Sequence, residues 1–198
     1  MKKILFTSLI ILFLIINLKA KNLEGIIIRQ NDTVLVTFNI PTNTFSTEPD
    51  YLRLQRSILY YDNNGKKKKI KPYEAKEVQF EFNGFLVRMI SMKMSRKINI
   101  SSPIDSVMFL HLEEDGYVKL FSYYLATMTK ANSIMYLIKK GESEIMWVYA
   151  FSTKKVKEKL TAYLSDCNPA VELINESNAF KFDIFAIVNK YNNSCKRE

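Results

Sequence analysis

Asn83-Gly84 is flanked by two alternating stretches, Lys76–Phe82 and Phe85–Ser91. Asn-Gly between apolar runs is the strongest short-range hairpin signal, because a type I′ turn needs positive φ at both central residues. A two-residue loop here pairs Phe82 with Phe85, Phe80 with Val87 and Val78 with Met89, and puts all six side chains on one face. Glu81/Leu86, Gln79/Arg88 and Glu77/Ile90 share the other face. A slip of one residue would mix the two sets, so the pattern selects its own register. An isolated hairpin is unstable in water. The rest of the chain is therefore expected to supply more strands and a body of packed sheet.

Several further stretches read as strands. Gly25–Asn39 reads as a hairpin turning at Gln30-Asn31-Asp32, with the β-branched run Ile26-Ile27-Ile28 leading in. Pro41–Pro49 is a polar loop. Leu52, Leu54, Ile58 and Tyr60 alternate, apart from a gap at Arg56, and predict a strand over Tyr51–Tyr61. Val107–Leu112 and Tyr117–Tyr124 predict a hairpin around Asp115-Gly116, and Ile134–Ile138 and Ile145–Phe151 two more strands. Near Ser152 the apolar period changes from 2 to 3.6. Val156, Leu160, Tyr163 and Leu164 form one helical stripe; Asn168-Pro169 reads as an N-cap with proline after it; Phe180, Ile184, Ile187, Val188 and Tyr191 form a third stripe. The fold expected is α+β in one domain: an antiparallel, hairpin-rich body of stacked or barrel-like sheets over 21–151, then a three-helix cap over 152–198.

Residues 1–20 read as a signal peptide. Lys2 and Lys3 are followed by the apolar run Ile4–Ile16 and a polar stretch ending at Ala20. The rival reading is a retained anchor, but the run is shorter than the roughly 20 residues of a spanning helix. No transmembrane segment is expected after cleavage. Cys167 and Cys195 are the only cysteines. In an exported chain two cysteines most simply pair; the alternative is two reduced thiols. The formal net charge is +9, and the leader's three lysines carry a third of it. Such a surplus tolerates acidic partners such as a lipid surface or an acidic glycan, or simply reflects a lysine-rich genome.

Gly25-x-Ile27 followed by Asp32-Thr33, then Ile58-x-Tyr60-x-Asp62 with Gly65-Lys66 and Ile70-x-Pro72, resembles a group of uncharacterised exported proteins of Bacteroidetes-type bacteria. Leu110 through Gly116 to Leu120-Phe121, and Leu160 to Asp166-Cys167 with Tyr191-Asn192, are similar to the rest of that pattern, which the chain leaves at Asn168, between Cys167 and Pro169. The resemblance implies an envelope location and a β-rich body with a helical tail; it implies no activity. Asp32-Thr33-Val34 and Asp105-Ser106-Val107 are similar to O-glycosylation sites of such proteins.

Chemistry-bearing motifs are sparse. His111 is the single histidine, and in a regular strand Glu113 shares its face whereas Glu114 does not. These two residues are the weak catalytic candidates, with no nucleophile motif beside them. Met89, Met92 and Met94 would suit a soft cation, but in extended structure Met89 faces away from the other two. Glu113-Glu114-Asp115 lacks the alternating oxygen ligands of a calcium loop. Lys66, Lys67, Lys68, Lys69 and Lys71 are the candidate binding residues for phosphate or acidic sugar; a solvated turn that also hinders edge-to-edge pairing explains them equally. No aromatic residue interleaves with these lysines, and nucleic acid is not expected. No cofactor or metal site is expected. The function expected is a non-catalytic envelope module that binds a protein, glycan or lipid surface. An envelope-acting enzyme using His111, and a structural or stress-response protein, are the alternatives.

Overall fold

The computed structural model describes residues 20–43, 47–94, 107–125, 133–148, 154–177 and 182–195. The leader up to Lys19, Asp105-Ser106 of the second Asp-Ser-Val motif, and Phe180 of the third helical stripe lie outside these residues.

The central hairpin has the register its sequence demands. Strands β5 (Glu77–Phe82) and β6 (Phe85–Lys93) pair Phe82 with Phe85, Phe80 with Val87 and Glu77 with Ile90. Asn83 and Gly84 both take positive φ, at 53° and 83°. On the outer face Arg88 Nε meets Glu77 Oε1 at 2.5 Å, a diagonal pair joining the two strands. Around this hairpin the chain lays down β1 (Ala20–Ile28), β2 (Thr33–Pro41), β3 (Ile58–Tyr61), β4 (Lys67–Ile70), β7 (Val107–Glu114), β8 (Val118–Leu125), β9 (Ser133–Lys140) and β10 (Met146–Val148). All pair antiparallel in one ten-stranded sheet of order β10-β9-β8-β7-β6-β5-β1-β2-β3-β4. The sheet is open: β4 and β10 are its edges. Three helices follow it, α2 (Lys154–Tyr163), α3 (Asn168–Glu176) and α4 (Ile184–Ser194). The α+β architecture, hairpin-rich and antiparallel with a helical C-terminal part, is thus the one expected.

The sheet buries apolar surface in three places. Ile27, Phe38, Ile58, Val78, Phe80 and Met89 fill a first core on one face of the β1–β6 half. On the same face of the other half, Val118, Leu120, Ile138 and Val148 pack under the helices with Leu160, Ile174 and Val188. On the opposite face, Leu110, Phe121, Tyr123, Leu137 and Met94 form a third core. Met89 therefore lies in one core and Met94 in another, as strand alternation requires, and the methionines do not converge.

Two local expectations are corrected. Tyr51–Leu54 is not strand but a single helical turn, α1. Asp50 after Pro49 caps it, accepting from the Arg53 backbone N–H and pairing with the Arg53 guanidinium at 3.0 Å. This local bonding competes with extension, and the strand begins only at Ile58. At α3 the N-cap is Cys167 rather than Asn168, so Pro169 sits one position further into the first turn, where its missing N–H costs nothing.

Gly25 shows how tightly the first core closes. A Cβ there would stand 2.2 Å from the Gln79 carbonyl oxygen and 2.8 Å from the Phe38 ring. Gly25→Ala is expected to lower unfolding free energy by about 2 kcal/mol, the scale of overpacking in a close-packed core. Urea melts of the two proteins test this; equal midpoints would mean that β1 and β5 separate at little cost.

A half-buried aromatic seam

Between the first core and the helix-covered core, the same face of the sheet turns polar. The register sets one row across five strands: Met89 of β6, His111 of β7, Ser122 of β8, Tyr136 of β9 and Val148 of β10. Its ends belong to the two apolar cores. His111 and Ser122 between them, with Glu113 and Tyr124 as neighbours on the same face, belong to neither, and Tyr136 packs against the helix-covered core.

A side chain from outside the sheet holds this region open. Continuing the pairing of His111 with Ser122 would bring Phe109 opposite Tyr124, but the ladder stops at Ser122. Gln55, 1% exposed, stands in the gap. Its main-chain oxygen accepts from Phe109 N–H at 3.0 Å. Its carboxamide donates to the Tyr124 carbonyl at 3.0 Å and accepts from Tyr124 N–H at 2.5 Å. At the other end of β8, Asn192 of α4 does the same for Val118, donating to its carbonyl at 2.8 Å and accepting from its N–H at 2.9 Å. Gly116 makes room there, for a Cβ at that position would fall 2.4 Å from the Asn192 amide nitrogen. Two carboxamides thus replace β7 where it leaves β8, one tying in α1 and the other α4.

Because α1 ends at Gln55, Tyr51 is carried one turn back over the seam. Its ring stacks on His111, with centroids 4.6 Å apart, and on Tyr124 at 4.9 Å. Tyr136 meets Phe185 of α4 edge to face at 5.3 Å. Glu113, set off by the irregular pairing between Leu112 and Glu114, brings Oε1 to 3.2 Å from His111 Nδ1. Burial pushes the Glu113 carboxyl up, but contacts with His111 and Ser122 outweigh it and hold the group below the usual range. It is therefore an anion at neutral pH, and the 3.2 Å contact is an Nδ1–H donating to it. Burial raises the Tyr51, Tyr124 and Tyr136 phenols, reinforced by the charge of Glu113; Tyr124 is pushed up to about 12. All three remain neutral donors across the physiological range. Ser122 is fully buried. Its hydroxyl faces Glu113 and Tyr124 but forms no hydrogen bond of good geometry.

Of the residues singled out from sequence, His111 and Glu113 come together here. The lysines lie elsewhere. Lys67, Lys68 and Lys69 lie on β4, an exposed edge strand rather than a turn, and Lys66 precedes it. Lys68 pairs with Asp62 at 2.8 Å, and the Lys71 ammonium lies 5.6 Å from the centre of the exposed Tyr73 ring. Lysines along an unpaired edge obstruct strand addition. Thr33 of the first Asp-Thr-Val motif is exposed at the start of β2, beside an Asp32–Arg29 ion pair of 2.9 Å. Cys167 and Cys195 are joined by a disulfide.

No protein-family model, curated protein or solved structure matches this chain. Among the described residues, no three His, Cys, Asp or Glu side chains are grouped to hold a metal ion, and no helix is long and apolar enough to cross a membrane.

Sequence reasoning reached His111 and Glu113 but missed Tyr51, Ser122, Tyr124 and Tyr136. The signal for Tyr51 was present: Asp50 is an N-cap residue type, and it stands immediately before an apolar run. The rest required the β7–β8 register, which a displaced Glu113 hides.

Proposed function

We propose that this chain is an exported cell-envelope protein, related to the Bacteroidetes-type group it resembles, that works as a non-catalytic binding module through the aromatic seam. One observation carries the choice of binding over catalysis. Ser122, His111 and Glu113 are the residue types of a nucleophile, base and orienting acid, yet among the described residues no hydrogen bond joins His111 to Ser122. A relay needs the imidazole on the hydroxyl. Here Glu113 takes Nδ1 as an orienting acid would, but the imidazole lays its face on Tyr51 and the Ser122 hydroxyl, without a hydrogen bond to it, is sealed from solvent. What faces outward is a group of half-buried tyrosines with neutral hydroxyls, the mixture of flat apolar surface and polar tips that suits recognition. The disulfide and the leader-like first twenty residues support an oxidising compartment.

Co-sedimentation with the isolated envelope of the producing cell tests this reading. The protein is expected to sediment with the envelope. Tyr51→Ala and Tyr124→Ala are expected to lower the bound fraction at least fivefold with far-UV circular dichroism unchanged, and the envelope is expected to yield no new soluble fragments. Release of fragments that stops in His111→Ala would establish the enzyme instead. Intact mass of the secreted protein should match residues 21–198 less two hydrogens, regained on reduction; a full-length mass with free thiols would remove export from the proposal.

A further inference from the structure

Taking the seam as the binding site, we infer that its ligand is an organic cation of the alkylammonium class, held by the Glu113 carboxylate among the rings of Tyr51, Tyr124 and Tyr136. Glu113 has an unusual set of neighbours for a half-buried anion. Its hydrogen-bond partner is the His111 imidazole; among the described residues no lysine or arginine pairs with it. The other depressed acids among the described residues are not left that way: Asp166 meets Lys140 at 3.0 Å, Asp62 meets Lys68, and Asp115 meets Arg88 and Lys119. In a chain with a net charge of +9, a carboxylate that among the described residues meets an imidazole but no lysine or arginine is a choice of place rather than a shortage of cations.

One further observation points the same way. The negative charge does not stop at Glu113: Glu48 lies close enough to Tyr51 and Tyr124, and Asp183 to Tyr136, to raise their phenols. Phenol rings near carboxylate charge attract an alkylammonium through ring quadrupole and charge together, while its methyl groups find apolar contact. A neutral sugar would use the rings but would gain little from the charge of the Glu113 carboxylate.

Titration of the disulfide-bonded protein with choline, followed by NMR of the tyrosine rings at constant ionic strength, tests the inference. Choline is expected to shift Tyr51, Tyr124 and Tyr136 saturably and to bind at least tenfold more tightly than 3,3-dimethylbutan-1-ol, its uncharged counterpart. Glu113→Gln should weaken choline at least tenfold and leave the alcohol unchanged. If that variant fails to fold, Tyr136→Leu should weaken choline with the disulfide and helical signal intact. Equal affinity for choline and the alcohol, or no shift with choline, overturns the cation. If neutral oligosaccharides then shift the same rings, or envelope binding still depends on Tyr51 and Tyr124, the seam remains a binding site for another ligand. If neither holds, the binding reading falls as well.

Discussion

Replacing Gln55 by methionine is expected to cost about 3–4 kcal/mol of stability, although the two side chains are close in length and shape. Methionine keeps the packing and the main-chain bond to Phe109 but removes both carboxamide bonds to Tyr124. The Tyr124 N–H and carbonyl then have no β7 partner to return to, since the ladder has already ended at Ser122. Each buried backbone group left unpaired costs about 1–3 kcal/mol, and there are two. Gln55→Glu should fall on the same side, because a carboxylate can accept from the N–H but sets oxygen against oxygen at the carbonyl. Asn192→Ala removes the equivalent bonds at Val118, but Asn192 is half-exposed, so water can replace part of them and a loss of about 1–2 kcal/mol is expected. Denaturant unfolding followed by circular dichroism orders the variants. A Gln55→Met protein within about 0.5 kcal/mol of the parent would show that β7 and β8 close over the gap by themselves. Release of Gln55 also frees α1, so the same variant should lose the Tyr51 stack and with it ligand binding.

Local chemistry explains which parts of this molecule are readable without a structure. The β5–β6 hairpin is legible to the residue because Asn83-Gly84 sets the turn and opposite faces differ sharply in polarity. The helices are legible because Leu160, Ile174 and Val188 keep one period over the same core. Tyr51–Leu54 misled because Leu52 and Leu54 mimic strand alternation, while the Asp50–Arg53 bonding that decides the matter is polar and local. The seam was legible only as far as His111 and Glu113, which are neighbours along one strand. Tyr51 and Tyr136 reach it from far along the chain, and Ser122 lies opposite His111 only because of the irregular pairing near Glu113. Nothing in the sequence shows what Gln55 and Asn192 bond: a carboxamide that completes a strand looks like any surface carboxamide until both strands are in place.

Opening the Cys167–Cys195 disulfide is expected to destabilise the protein by about 3.5 kcal/mol. The bond spans 28 residues of sequence, with Cα atoms 5.7 Å apart. In the chain-entropy account, closing a loop of that size removes about 3.5 kcal/mol of freedom from the unfolded chain. The placement adds to the effect. Cys167 caps the start of α3 and Cys195 the end of α4, so the bond closes the far ends of two adjacent helices onto each other. Beside it Tyr191 donates to Asp166 at 2.7 Å, and Asp166 pairs with Lys140 of β9, which carries the constraint on to the sheet. A Cys167→Ala/Cys195→Ala protein should therefore melt about 10 °C lower. Alanine is the better probe than serine, because Cys167 is fully buried in the helix-covered core and a hydroxyl there would add an unrelated penalty. The loss should not be confined to the cap: α4 supplies Asn192 to β8 and Phe185 to Tyr136, so the seam should loosen with it. Calorimetry of the parent with and without reductant, beside the double variant, gives the size of the effect. Choline titration of the same samples tells whether it reaches the seam. A variant that melts lower but binds unchanged would mean that Gln55 alone holds the site. One that loses both would place the helical cap among the parts that shape it.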